Sequence, residues 1–146
     1  MKKELALEMN KYLANLGVAY IKLHNLHWNV VGINFKGVHE YLESLYDGVS
    51  ESLDSIAELL KMHDEVPAAS LKEYLELTSI EELPSKELPG KEALAIALKD
   101  LELMKAQAEA IRKAADEEDE YSVVGAMEGD LEHYSKAIWF IKAMLK

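Results

Sequence analysis

The 146-residue sequence predicts an all-α fold, a four-helix bundle with one long crossover. Three observations predict it. Four stretches carry apolar residues at the three-to-four spacing of amphipathic helices, each about 37 Å long at ~1.5 Å per residue. All three prolines fall between the second and third of these stretches, in residues 64–90. Short turns join the first stretch to the second and the third to the fourth, so each pair is antiparallel, and residues 64–90 are long enough to cross the bundle end to end.

The first helix is expected over about Leu5 to Val31, with a stripe of Leu5, Met9, Tyr12, Leu13, Leu16, Ala19, Tyr20, Leu23, Leu26 and Val30. Gly32, Asn34 and Gly37 punctuate its end. The second runs from about Gly37 to His63 on Tyr41, Leu42, Leu45, Tyr46, Val49, Leu53, Ile56 and Leu60. Inside the crossover, Ser70-Leu71-Lys72-Glu73 has the form of a capping box that opens a short extra helix. The third helix covers about Lys91 to Ala115, an acidic run occupies Asp116 to Glu120, and the fourth covers about Val123 to Leu145. One domain, residues 1–146, is expected, with no repeat and no low-complexity tract.

Composition removes several function classes. The net charge of −11 repels nucleic acid and anionic membranes unless a basic patch or a bridging cation intervenes. With no cysteine there is no disulfide, thiolate metal site or thiol nucleophile. The N-terminal stretch interrupts its apolar residues with Glu4, Glu8 and Lys11, unlike a signal peptide. No apolar run is long enough to span a membrane. A cytoplasmic protein is the expectation.

The chemistry concentrates between His24 and Glu58. On a wheel at about 100° per residue, His39, Glu43, Asp47, Asp54 and Glu58 all fall within one stripe of the second helix. One imidazole with four carboxylates lines a cavity or an interface, or else forms a solvated face. As a ligand set it suits iron, manganese or zinc rather than copper(I). Fifteen residues separate His39 from Asp54, about 22 Å of helical rise. Metal–ligand bonds are only ~2 Å long, so these two residues of one chain cannot share an ion. A two-fold antiparallel partner helix removes the difficulty by setting Asp54 and Glu58 of one subunit against His39 of the other. The crossing then falls near Gly48, either a point of close backbone approach at the two-fold axis or a tolerated surface glycine.

His27-Trp28-Asn29-Val30, then Gly32, His39, Asp54 and Glu58, resemble the Dps family, the ferritin-like DNA-protection proteins of starved cells. The resemblance extends over most of the chain, including the short crossover helix and Trp139. It implies a ferritin-like bundle assembled as a dodecamer, a hollow homo-oligomeric shell. It also implies ferroxidase sites that hold two irons at the two-fold interfaces. There His27 and His39 come from one subunit and Asp54 and Glu58 from its neighbour, with Glu43 and Asp47 as further metal candidates. Hydrogen peroxide is the implied oxidant and ferric mineral in the cavity the implied product; zinc, which suits the same donors, is the expected substitute for iron. The Glu-x-x-His pair of ordinary ferritins is absent: the residues three before each histidine are Ile21, His24, Lys36, Leu60 and Asp130.

The remaining signals have plainer readings. Trp28 lies beside His27 and could absorb stray oxidising equivalents, although a packed core indole is the expectation. Glu40 joins Glu43 and Asp47 as a candidate for mineral nucleation. His24 is expected outside the immediate ligand set, and His63 and His133 as core or surface residues. Asp116 to Glu120 reads as a solvated turn, or, by the resemblance, as the lining of three-fold pores, where Gly125 replaces an expected acid. Some family members bind DNA through a lysine-rich tail. Here only Lys2 and Lys3 precede the first helix, so DNA binding is expected to be weak or absent. The alternatives to a ferroxidase are a nucleoid-binding protein with a secondary iron role and a helical assembly module with structural or zinc-filled sites.

Overall fold

A computed structural model describes residues 1–146. Helix α1 (Lys3–Asn29) and α2 (Phe35–Met62) form one antiparallel hairpin; α4 (Gly90–Glu117) and α5 (Tyr121–Leu145) form the other. The crossover carries α3 (Leu71–Leu77), packed on α1. Ser70 caps α3 as the sequence predicts: its hydroxyl accepts from the Glu73 amide, and the Glu73 carboxylate accepts from the Ala69 amide and the Ser70 hydroxyl. Each long helix begins one to two residues before its expected start. The α2 stripe is also displaced: Val38, Leu42, Leu45, Val49, Ile56, Leu59 and Leu60 are its buried residues, while Tyr41, Tyr46 and Leu53 are only partly covered.

Thirty-five buried side chains make one apolar core, anchored by Met9, Tyr12, Leu13, Leu16, Leu26, Leu42, Ile56, Leu60, Leu94, Met104, Ile111 and Met127. Two polar pegs fix the crossover to it. The fully buried Asn15 amide accepts from the Thr78 hydroxyl and the Ser79 amide, and donates to the Ser79 hydroxyl and Gln107. The buried Lys22 ammonium sits 2.8 Å from Asp100 and donates to the Glu81 carbonyl. Burial outweighs the lysine at Asp100 and raises its carboxyl above the usual range.

Periodicity gave no sign of one element. Two short strands, β1 (Val30–Val31) and β2 (Leu88–Pro89), pair in parallel in the register Val30 to Leu88 and Val31 to Pro89. They tie the α1–α2 turn to the end of the crossover. Two-residue strands fall below the length at which period-two alternation can be read. Gly32 supplies the turn with φ +116°, and a side chain at Gly90 would strike Asn34 at 2.5 Å, so the two segments meet backbone to side chain. No helix is long and apolar enough to cross a membrane.

Removing one partner of the Lys22–Asp100 pair leaves a buried charge uncompensated. Asp100→Ala is expected to cost about 3 kcal/mol, and Lys22→Met with Asp100→Leu to recover most of it. Thermal melting of the two variants beside the parent checks this; equal losses in both would show that the charge pair itself supplies the stability.

Candidate metal centre

The α1–α2 turn places two histidines face to face. His27 lies two residues before the end of α1, and His39 lies four residues into α2. Their rings stack with centroids 3.7 Å apart and planes 12° from parallel. Nδ1 of His27 is 2.7 Å from the His39 carbonyl oxygen, and Nδ1 of His39 is 2.7 Å from the His27 carbonyl oxygen. A carbonyl only accepts, so each Nδ1 carries a proton and donates. In the neutral ring each Nε2 is then left with a free lone pair, the tautomer that ligates a metal through Nε2. His27 is 5% exposed and His39 half-buried.

An aromatic wall holds the pair. Phe35 tilts against His39 at 4.9 Å, and Tyr46 meets the edge of His27 at 5.2 Å. His24 stacks on Tyr46 at 3.7 Å and donates Nδ1–H to the Tyr20 carbonyl. Glu43 reaches 4.0 Å from Nε2 of His27 while accepting from the Tyr46 hydroxyl at 3.3 Å. Sequence reasoning did not single out Phe35, Tyr20 or Tyr46 for this role. The available signal was helical spacing: Phe35 lies four residues before His39 and Tyr20 four before His24, while Tyr46 lies seven residues, two turns, after His39.

The other candidates stand apart. Asp54 and Glu58 are exposed farther along α2, about 22 Å or more of rise from His39. No three His, Asp or Glu side chains of this chain gather as a metal-binding group. Asp47 is exposed, and Glu40 is exposed with the Lys36 ammonium 3.9 Å away. Trp28 is not a packed core indole: it is 67% exposed, because helical geometry turns it away as its neighbour His27 turns inward. Val31, Ile33 and Phe35 are exposed in the turn and helix start that follow it, and Met62 and Val66 are exposed at and just beyond the opposite end of α2.

Gly48 faces its own chain. A side chain there would meet Nε2 of His133 on α5 at 2.6 Å. That contact gives the glycine an intrachain cause that neither sequence expectation contained. His133 is exposed and can swing aside. Gly48→Ala is therefore expected to fold with its stability unchanged or raised by up to ~1 kcal/mol of helix propensity, and to keep its assembly. Loss of assembly on size exclusion would show that a partner backbone lies on Gly48.

The comparisons with known proteins agree with this frame. Residues 6–146 match the Ferritin family, a ferritin-like domain. DNA protection during starvation protein 2 of Bacillus anthracis is 33% identical over 99% of this chain and 99% of its own length. The chain belongs to the Dps family of ferritin-like proteins. The crystal structure of a Dps protein from Bacillus brevis superposes with a TM-score of 0.94 at 32% identity, covering both chains completely. That of antigen TpF1 from Treponema pallidum superposes with a TM-score of 0.96 at 38% identity, over 98% of this chain and 92% of its own.

The acidic α4–α5 turn of this Dps chain holds a second cluster. Asp119 takes a left-handed φ of 59° and shapes the turn. Glu120 receives the N-terminal ammonium at 3.1 Å and His63 Nε2 at 2.9 Å. His63 thus bridges two helix ends, a role that its lone position in the sequence did not reveal. The N-terminal ammonium, with His63 adding to it, holds the Glu120 carboxyl below the usual range. A lowered folded-state pKa stabilises above the unfolded value, near 4.5, and the contribution disappears as pH falls through the folded one. Glu120→Gln is expected to melt below the parent at neutral pH and level with it in strong acid; a gap unchanged down to acid pH would contradict the ion pairs.

Proposed function

We propose that this chain is a single-domain, cytoplasmic ferroxidase and iron store. It oxidises ferrous iron, preferably with hydrogen peroxide, and holds ferric mineral in a twelve-subunit shell. The carrying observation is a histidine pair with both Nε2 lone pairs free, on a chain whose Asp54–Glu58 pair lies too far along α2 to join it. A second subunit supplies the missing half. Exposed apolar side chains rim both halves, as expected of surfaces that become covered on assembly.

The relatives support the chemistry. A Dps structure from Vibrio cholerae is described as a member of a broad superfamily of ferritin-like diiron-carboxylate proteins; it superposes with a TM-score of 0.94 at 25% identity, over 99% of this chain and 90% of its own. Dps from Listeria innocua was soaked with zinc in one structure and with cobalt in another, each at 30% identity. Their TM-scores are 0.92 over 97% of this chain and 95% of its own for zinc, and 0.94 over 99% and 93% for cobalt. Imidazole nitrogens and carboxylate oxygens are donors that iron, zinc and cobalt share.

Ferrous iron is the substrate. Asp54 and Glu58 neutralise its charge, while His27 and His39 add neutral donors and leave coordination positions for the oxidant. The mutual Nδ1–H···O=C bonds hold both rings in place before metal arrives, so little ordering accompanies binding. Glu43, already beside His27, is the candidate to hold a second iron directly or through water, which allows peroxide to accept two electrons at once. Asp47 is the next candidate, and both acids suit mineral nucleation. Trp28, exposed beside His27, is available to quench stray oxidising equivalents. Acidic side chains at the α4–α5 turn would line iron entry. A shell of such anionic subunits binds DNA weakly or not at all, so DNA is protected through removal of iron and peroxide.

Anaerobic ferrous loading followed by peroxide tests this. The parent is expected to consume about two irons per peroxide, and Asp54→Ala with Glu58→Ala to slow oxidation by about 100-fold or more, since even outer-shell changes cost 10–100-fold. An unchanged rate in the double variant would overturn the site.

A further inference from the structure

Seven tyrosines occur in the chain, and one of them stands differently from the rest. Tyr12, on α1, is fully buried, and its hydroxyl donates to Oδ2 of Asp130 on α5 at 2.6 Å. Its single proton is thereby committed. The contact of 2.5 Å between the Tyr12 and Tyr134 hydroxyls must therefore have Tyr134 as donor. Tyr134 is 4% exposed. Oδ2 of Asp130 also accepts from the Ser52 hydroxyl at 2.7 Å, on the turn of α2 that leads to Asp54. Asp130 and Ser52 line the groove between α2 and α5, which gives the carboxylate a route to solvent.

The other phenols lack this arrangement. Tyr46 and Tyr121 donate to Glu43 and Asp119 at the surface, and Tyr41 to a backbone carbonyl at 3.4 Å. A surface phenoxyl radical couples with whatever it meets. One in the core is shielded from that fate. Oxidation of a phenol by one electron makes its proton strongly acidic, so the reaction is easiest where a base already accepts that O–H. Burial raises the Tyr12 pKa well above its ordinary value, and raises that of Tyr134 as well, so both phenols are protonated at rest and the proton must leave with the electron.

We propose that Tyr12, with Asp130 as proton acceptor and Tyr134 as hydrogen-bond donor, is an internal one-electron donor that quenches hydroxyl-radical-class oxidants. The supply of that oxidant from ferrous iron and peroxide rests on the ferroxidase reading. Tyr12 gives one electron to the oxidant, which takes a proton from solvent and becomes water. The Tyr12 O–H bond breaks as its proton moves to Oδ2 of Asp130, and Tyr134 keeps its hydrogen bond to the phenoxyl oxygen. One ferrous ion then returns an electron, becoming ferric, and Asp130 returns the proton. The sum is one hydroxyl radical, one proton and one Fe(II) converted to water and Fe(III).

The test has two arms, both on the assembled full-length protein. Without iron, photogenerated tris(bipyridine)ruthenium(III) oxidises the protein, and freeze-trapped samples are read by high-field electron paramagnetic resonance. The parent is expected to give a tyrosyl signal that Tyr12→Phe loses. Tyr134→Phe should keep that signal with a shifted g value, and Asp130→Asn should lose most of it. A parent-like signal in folded Tyr12→Phe overturns the proposal, because the radical then sits elsewhere. If Tyr12→Phe does not fold, Asp130→Asn decides: loss supports the proposal, and an unchanged signal overturns it. With iron and peroxide, Tyr12→Phe should oxidise ferrous iron at the parent rate but release more hydroxyl radical to a spin trap. Equal release overturns the quenching role. Absence of ferrous oxidation in the parent would count against the ferroxidase reading alone, since the ruthenium arm needs no iron.

Discussion

The rise of an α-helix sets the terms for everything else in this molecule. At about 1.5 Å per residue, His39 and Asp54 are separated along α2 by many times a metal–ligand bond. No rotamer removes that gap. A chain that keeps its imidazoles at one end of a helix and a carboxylate pair beyond the middle cannot gather both sets on one ion by itself. The proposed two-fold pairing of that helix would bring the two sets together twice, once at each end. The apolar side chains exposed at Trp28 and Ile33, and at Met62 and Val66, are otherwise an unexplained cost to solubility.

What the single chain does build is the imidazole pair. The parallel pairing of Val30–Val31 with Leu88–Pro89 anchors the α1–α2 turn to the far end of the crossover. The turn sets His27 against His39, and their backbone carbonyls orient each other's rings. The Asn15 side chain and the Lys22 bond to the Glu81 carbonyl hold the same crossover on α1. The crossover thus supports the histidine pair as well as connecting two hairpins.

Much of this was legible in the sequence. Helical periodicity, the three prolines confined to one segment and the Ser70–Glu73 box located all five helices, because each has a local cause. The wheel placed His39 with its carboxylates on one stripe, and helix rise separated His39 from Asp54, since both follow from regular geometry. Long-range contacts were not legible. Nothing local indicates that Val30 pairs with Leu88, that His133 lies over Gly48, or that His63 reaches Glu120. Trp28 was misjudged because a tryptophan in an apolar stretch looks like core, whereas its angular position beside inward-facing His27 turns it out. Tyr12 was legible as core, but its partners Asp130 and Tyr134 lie more than a hundred residues away.

Subunit mixing decides whether the histidines of one subunit work with the carboxylates of another. One preparation carries His27→Ala and His39→Ala, the other Asp54→Ala and Glu58→Ala, and each should be inactive by itself. Dissociated, mixed and reassembled at random, they should regain roughly a quarter of the parent's ferrous oxidation, because half of the two-fold pairs are mixed and each mixed pair rebuilds one of its two sites. No recovery in properly assembled mixtures would mean that the histidines and carboxylates do not meet across subunits.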